Sequence, residues 1–230
     1  MTAGFAESTS RRERRERRLF SDTFAVTPAP SEDEPVTLLM VCTGNICRSP
    51  MAEVILRARL DALGVRVHSA GTHALVGHAM TPDAATLAVD AGARAADAEA
   101  HTARYLVEPM LRDADLVLTA TGRHRAHAVS MMPSAVRRTF TVREFARLAS
   151  TLSEDEIRAA ADSAPGGPRG RVASALAALT ANRSYSDGPA ATDDDVVDPY
   201  RRPQEVYDQA AAQLTPALAE VERFIRAAIG

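Results

Sequence analysis

For most of the chain, apolar residues gather in short clusters separated by polar turns, and their spacing changes from one cluster to the next. "VTLLMVC" (36–42) is an unbroken apolar run of strand length that closes on a Gly44-Asn45 turn. Such a run predicts a strand covered on both faces, as in a parallel sheet. "RSPMAEVILRARLDALG" (48–64) has helical spacing instead: Met51, Val54, Ile55, Ala58 and Leu60 share a broad face, and Gly64 is its stop. "VRVHSAG" (65–71) predicts a second strand and "PDAATLAVDAG" (82–92) a second helix. "DADLVLTAT" (113–121) and "RRTFTV" (137–142) predict a third and fourth strand, each followed by a helical stretch, "GRHRAHAVSMM" and "REFARLAS". Strands alternating with helices predict an α/β, three-layer fold: a four-stranded parallel sheet flanked by helices on both faces.

Two regions break the pattern. Residues 1–35 combine the Arg/Glu block "RRERRERR" with "TPAPSEDEP" and no apolar periodicity, which predicts a disordered N-terminal tail. Residues at about 150–197 read as an insertion. There "SEDE" (153–156) is a capping box opening a short helix, "APGGPRG" (164–170) breaks it, "RVASALAALTA" predicts another helix, and a polar loop follows. "PQEVYDQAAAQLTPALAEVERFIRAAI" then predicts a long amphipathic helix, kinked or split by Pro216.

Composition narrows the function classes. A formal net charge of −3 over 230 residues argues against a nucleic-acid binder. No apolar run reaches the roughly 18 residues of a membrane span, and the basic start lacks the apolar stretch of a signal peptide. The expectation is a cytoplasmic protein. The six histidines are scattered, and neither cysteine has a partner at zinc-ligand spacing, so no metal and no cofactor are expected. His124 and His127 read as an exposed helix face.

The chemistry concentrates after the first predicted strand, in "VCTGNICRSPMAE". The carboxyl end of a strand leading into a helix is where parallel α/β folds bind ligands. A loop of small residues there points backbone N–H groups at an anion, and the helix N-terminus adds a positive dipole. That field also favours the thiolate of Cys42, the nucleophilic form. Arg48 offers a planar fork that matches phosphate. The stretch is not a G-x-x-x-x-G-K-[ST] loop, since the chain has no lysine, and it is not G-x-G-x-x-G. A C-x5-R spacing alone is weak; the strand, turn and helix around it make it strong.

"VCTGNICRSPMAE" resembles the signature of the low-molecular-weight protein-tyrosine phosphatases. "HSAGTHALVGHAM", "HTARYL", "DADLVLTAT" and "VVDPYRRP" follow in that family's order. The resemblance implies the flavodoxin-like fold of those enzymes and a phosphatase domain over 36–230, interrupted by the insertion. It implies that Cys42 attacks phosphorus, that Thr43, Gly44, Asn45, Ile46, Cys47 and Arg48 bind the phosphate, and that Asp198 is the general acid and base. Ser49 would hydrogen-bond the Cys42 sulfur and His101 would support the loop. Leu75, Tyr200 and Arg201 would line the substrate cleft, with Leu75 and Arg201 replacing aromatics common in the family. Cys47 either packs beside the loop or forms a protective disulfide with Cys42. Asp193, Asp194 and Asp195 read as a solvated acidic loop. The implied partner is a phosphotyrosine-containing protein and, more narrowly, a bacterial tyrosine autokinase of polysaccharide export. The alternatives are an arsenate reductase using an external thiol and a phosphotyrosine-binding module without catalysis.

Overall fold

In the computed structural model, residues 34–163, 166–181 and 194–230 are described. The apolar run forms β1 (Thr37–Cys42), and the loop after it feeds directly into α1 (Arg48–Leu60). A 3-10 turn, Asp61–Leu63, then ends on Gly64 in the left-handed region, which glycine enters without a side-chain clash. β2 (Arg66–Gly71), α2 (Pro82–Asp90), α3 (Ala95–Glu99) and α4 (Glu108–Asp113) follow. Next come β3 (Leu116–Thr119), α5 (Gly122–Met131), a 3-10 turn (Pro133–Arg138) and β4 (Thr139–Thr141). The described chain continues through α6 (Val142–Ala149), α7 (Glu154–Asp162), α8 (Pro168–Ala181) and α9 (Gln204–Ile229).

The four strands are all parallel and lie in the order β2-β1-β3-β4. Successive residues of β1 serve opposite layers, as the period of two requires. Leu38, Met40 and Cys42 join the large cluster that includes Met51 and Ile55 of α1, Phe145 of α6 and Phe224 of α9. Leu39 and Val41 join Val117, Leu106, Leu111 and Ala128 on the other face. An apolar run with no alternation is thus what a central strand with two covered faces needs.

The strands are shorter than the sequence pattern suggests. Residues 113–115 and 120–121 fall outside β3, and β4 keeps only Thr139–Thr141. Helices end or begin at those positions, and their termini claim the flanking residues. Short helices α3 and α4 have no counterpart in the sequence reading.

The predicted split at Pro216 does not occur, because α9 runs unbroken through it. A proline inside a helix costs about 3 kcal/mol, but Tyr207, Ala210, Leu214, Leu218, Val221, Phe224 and Ile225 are all buried along one face. Their burial, at about 1.5–3 kcal/mol for each large side chain, outweighs the lost hydrogen bond. Of the stretch read as an insertion, the described part forms α7 and α8. Ser153 and Glu156 make the reciprocal capping box that opens α7. Thr141 and Glu144 make another at the start of α6. The N-terminal tail lies outside the described residues up to Asp33.

Phe145 stands edge-on to both Phe140 (5.6 Å) and Phe224 (5.2 Å), joining sheet, α6 and α9 in one contact. Replacing Phe145 with Ala removes both contacts and leaves a cavity, so the unfolding free energy should drop by about 3–5 kcal/mol. Val76→Ala, on an exposed side chain, should leave it nearly unchanged. Urea denaturation of the two variants checks this.

Candidate active site

The loop after β1 is organised by what its carbonyl oxygens do. Cys42 O accepts from Thr72 N, Thr43 O from His73 N, Gly44 O from Leu75 N, Ile46 O from Thr81 N and Cys47 O from Met51 N, all within 2.9–3.0 Å. Asn45 O accepts from Nε2–H of His101 at 2.8 Å. With every carbonyl from 42 to 47 turned outward, the N–H groups of Thr43, Gly44, Ile46 and Cys47 are left without an acceptor among the described residues. They form a concave array of donors, the kind of nest that binds anions.

Two residue types make this path possible. Asn45 sits at φ 56°, in the left-handed region that asparagine tolerates. Its side chain donates to Ser49 Oγ (3.0 Å) and Ser69 Oγ (2.7 Å) and accepts from Arg104 N (2.9 Å). Gly71, the last residue of β2, packs against the loop so closely that a Cβ there would lie 2.4 Å from Thr43 O. Beneath the loop, Glu53 is buried against His101, Ser69 and Arg57. Burial by itself would raise the Glu53 carboxyl, but hydrogen bonds from His101 and Ser69 and the charge of Arg57 hold it below its ordinary value.

Cys42 lies at the bottom of the nest, 2% exposed. Its sulfur is 3.0 Å from Ser49 Oγ and accepts from Asn45 N at 3.3 Å. Ser49 Oγ accepts from Asn45, and its own proton has two acceptors in reach, the sulfur at 3.0 Å and Ala70 O at 3.5 Å. Cys42 and Cys47 are both free thiols. Cys47 packs beside Thr81 and Tyr207, and burial pushes its thiol up.

Arg48 opens α1 and is buried, with NH1 donating to Val196 O (3.1 Å) and NH2 to Asp198 Oδ2 (2.7 Å). Its Nε has no partner among the described residues. Asp198 itself is 54% exposed, at the rim of the cleft. The segment that carries it is pinned from several sides. Val196 N donates to Ala120 O (2.8 Å), Val197 N to Gln213 Oε1 (2.9 Å) and Arg143 to Asp195 O (3.0 Å). Asp195 accepts from Gly122 N at the first turn of α5 (2.7 Å), and Asp194 pairs with Arg147 at 2.8 Å. Asp194 and Asp195 are therefore anchors rather than a solvated loop, because the N-terminus of α5 and the arginines of α6 face them. Asp193 lies outside the described residues.

Above the nest is a cavity of about 490 Å³. Thr43, Arg48 and Asp198 line it, with Thr72, His73, Thr121, Arg123, His124, His127 and the 195–197 segment. Leu75, Tyr200 and Arg201 do not line it. Leu75 packs by Gly44. Tyr200 donates its backbone N–H to Asp198 (3.2 Å), and the Arg201 guanidinium lies 5.1 Å from the Tyr200 ring centroid. His124 departs from the sequence reading: only His127 is exposed, while His124 is buried in the cleft wall. The signal was the T-x-x-H spacing from Thr121, the N-cap of α5, which puts the histidine in the first turn of a helix that starts at a strand's carboxyl end. Among the described residues, no cluster could hold a metal ion and no helix is long and apolar enough to cross a membrane.

Residues 37–157 match the family model "Low molecular weight phosphotyrosine protein phosphatase". The low molecular weight protein-tyrosine-phosphatase Etp of Escherichia coli K12 is 43% identical over 97 residues, which are 42% of this chain and 62% of that protein's length. The protein-arginine-phosphatase of Bacillus subtilis is 36% identical over 110 residues, 47% of this chain and 71% of that one. Among solved structures, the low molecular weight protein tyrosine phosphatase from T. tengcongensis superposes with a TM-score of 0.55 at 30% identity, over 81% of this chain and 97% of that one. A matched family model spanning more than half the chain, with the nest, Cys42, Arg48 and Asp198 gathered at one cleft, places this chain in the low molecular weight phosphotyrosine protein phosphatase family.

Proposed function

We propose that the chain hydrolyses phosphotyrosine in proteins, through a phosphate ester of Cys42. The observation that carries this reading is the Cys42 sulfur at the floor of the donor nest, with Arg48 and Asp198 meeting at 2.7 Å above it. The substrate phosphoryl group takes the place of the Asp198 carboxylate on Arg48, and its other equatorial oxygens meet the N–H groups of the loop. The Cys42 thiolate forms a bond to phosphorus as the bond to the phenolic oxygen breaks. The leaving phenolate, with a conjugate-acid pKa of about 10, takes the proton of Asp198. Asp198, now a carboxylate, then accepts a proton from the water that attacks phosphorus. Inorganic phosphate leaves and the thiolate returns, with Ser49 donating to the sulfur as it departs.

Ser49, Asn45 and His101 act on this scheme by holding sulfur and loop in place. Tyr200 and Arg201, beside Asp198, are the proposed contacts for the peptide around the phosphotyrosine, with Leu75 further along the loop. The narrower reading, a tyrosine autokinase of polysaccharide export as substrate, rests on the likeness of "ALVGHAM" and "DPYRRP" to the branch of the family that serves such kinases. The arsenate reductase reading would need a thiol from outside the chain to resolve an adduct on Cys42.

With EDTA present, the full chain should hydrolyse p-nitrophenyl phosphate. Cys42→Ser should abolish turnover, and Asp198→Asn should lower kcat by about 100-fold or more, the scale of a general acid's contribution. Metal-dependent turnover, or full activity in Cys42→Ser, would sink the proposal.

A second measurement compares phosphopeptides. Phosphotyrosine should be the preferred ester over phosphoserine, and also over phosphoarginine, which the Bacillus subtilis relative's name makes the informative comparison. Release of phosphate from phosphoarginine at a higher kcat/KM than from phosphotyrosine would replace the substrate while keeping the chemistry.

A further inference from the structure

The cleft contains one buried titratable group that the scheme above does not use. His124 is 7% exposed and its ring is held at both nitrogens. Nε2 lies 2.8 Å from Oγ1 of Thr43, and Nδ1 lies 2.9 Å from Oγ1 of Thr121. Burial, then the charge of Arg48, lowers its pKa to about 4, with Arg123 and His127 adding to the effect and Asp198 opposing it. The imidazole is therefore neutral at pH 7, with one nitrogen donating and the other accepting.

The hydrogen bonds around the ring favour one placement of the proton. As N-cap of α5, Thr121 Oγ1 accepts from the backbone N–H of His124 at 3.3 Å. Among the described residues, its hydroxyl proton has an acceptor only if Nδ1 is unprotonated. Nε2 then bears the hydrogen and donates it to Thr43. The reverse tautomer would turn the Thr121 proton to the cavity, which Thr121 also lines, and consume the Thr43 proton on the ring. In the favoured arrangement the Thr43 hydroxyl accepts from His124, and its own proton is available to the cavity that Thr43 lines. Thr43 lines that cavity together with Arg48 and Asp198, the groups between which the proposed scheme puts the phosphoryl group.

We propose that His124 is a positioning residue, a neutral imidazole that holds the Thr43 hydroxyl as a fixed donor to an oxygen of the bound phosphate ester. The proposal rests on the phosphatase reading of the cleft. A free threonine hydroxyl samples several rotamers and shares its proton with water. Tied to His124, it is oriented before substrate arrives, which is when a donor contributes most to charge stabilisation. A hydrogen bond to a charged acceptor is worth about one to two powers of ten in binding or rate, and its loss sets the size of the expected effect.

The test uses His124→Phe, which keeps a ring but no donor, His124→Gln, whose amide can donate from near the Nε2 position, Thr43→Val, and the double variant His124→Phe/Thr43→Val. Each is assayed for kcat and KM on p-nitrophenyl phosphate and phenyl phosphate, for the dissociation constant of inorganic phosphate, and for Tm. His124→Phe and Thr43→Val should each lose about tenfold in kcat/KM, the double variant should lose no more than either, and His124→Gln should stay within about threefold of wild type. A parallel loss in phosphate affinity assigns the donor to a non-bridging oxygen. A loss in kcat alone, larger for phenyl phosphate, assigns it to the leaving oxygen. Wild-type kinetics and phosphate affinity in His124→Phe, or losses that multiply in the double variant, overturn the proposal. Should His124→Phe unfold, Thr43→Val at wild-type Tm carries the test by itself, and undiminished activity and phosphate affinity there overturn it. Should the wild type hydrolyse neither ester, the phosphatase reading fails separately. The phosphate dissociation constants then decide, and equal values for wild type and His124→Phe overturn the proposal.

Discussion

The loop from Cys42 to Cys47 depends on a requirement that holds for any buried backbone: each carbonyl oxygen must find a donor. Here all six find one outside the loop, in the 72–81 segment, in His101 and in the first turn of α1. A peptide group has two ends, so turning the oxygens out turns the N–H groups in. The positive character of the cleft thus comes from backbone dipoles and from two arginines, Arg48 and Arg123. A chain without a single lysine can hold an anion in this way. Gly71, Asn45 and His101 are each a condition for that arrangement: one for close approach, one for a left-handed turn, one for a donor where no amide reaches.

The same economy governs the charged groups of the cleft. Arg48 is buried and reaches two acceptors on the 196–198 segment, so the guanidinium beside the nest also positions the segment bearing Asp198. Asp198 alone among these is half in solvent, which suits the proton exchange with water proposed for it. His124, a few residues along α5, stays neutral where Arg48 would otherwise face a second cation.

Much of this could be read from the chain. The apolar run 36–42, the Gly-Asn turn and the helical spacing after it lead to a thiol at the mouth of a parallel sheet, because local spacing alone encodes those elements. Ser153 and Glu156 announce a helix start in the same local way. What could not be read depended on distant partners. Asp194 and Asp195 look like a solvated acidic run until Arg147 and the N-terminus of α5 face them, about 50 and 70 residues back in the chain. His124 looks like a surface residue until Thr43, 81 positions earlier, closes on it. Pro216 looks like a break because its own cost is local, whereas the burial that overrides it is summed along α9. Strand ends were overestimated because a sheet edge is set by where helices take over, not by where apolar residues stop.

The anchoring of residues 194–197 has a consequence for how such a chain can change. The segment bearing Asp198 is fastened by Ala120, Gly122, Arg143, Arg147 and Gln213, and by Arg48 itself, so its place is set by these contacts. Chain length between α6 and Asp194 is nearly free: closing a loop of twice the length costs only about 0.6 kcal/mol more. The helices α7 and α8, packed against α9 through Ile157, Val172 and Leu179, occupy this tolerant stretch. Between β4 and the anchored segment, then, the fold has a place where added chain is cheap in closure entropy.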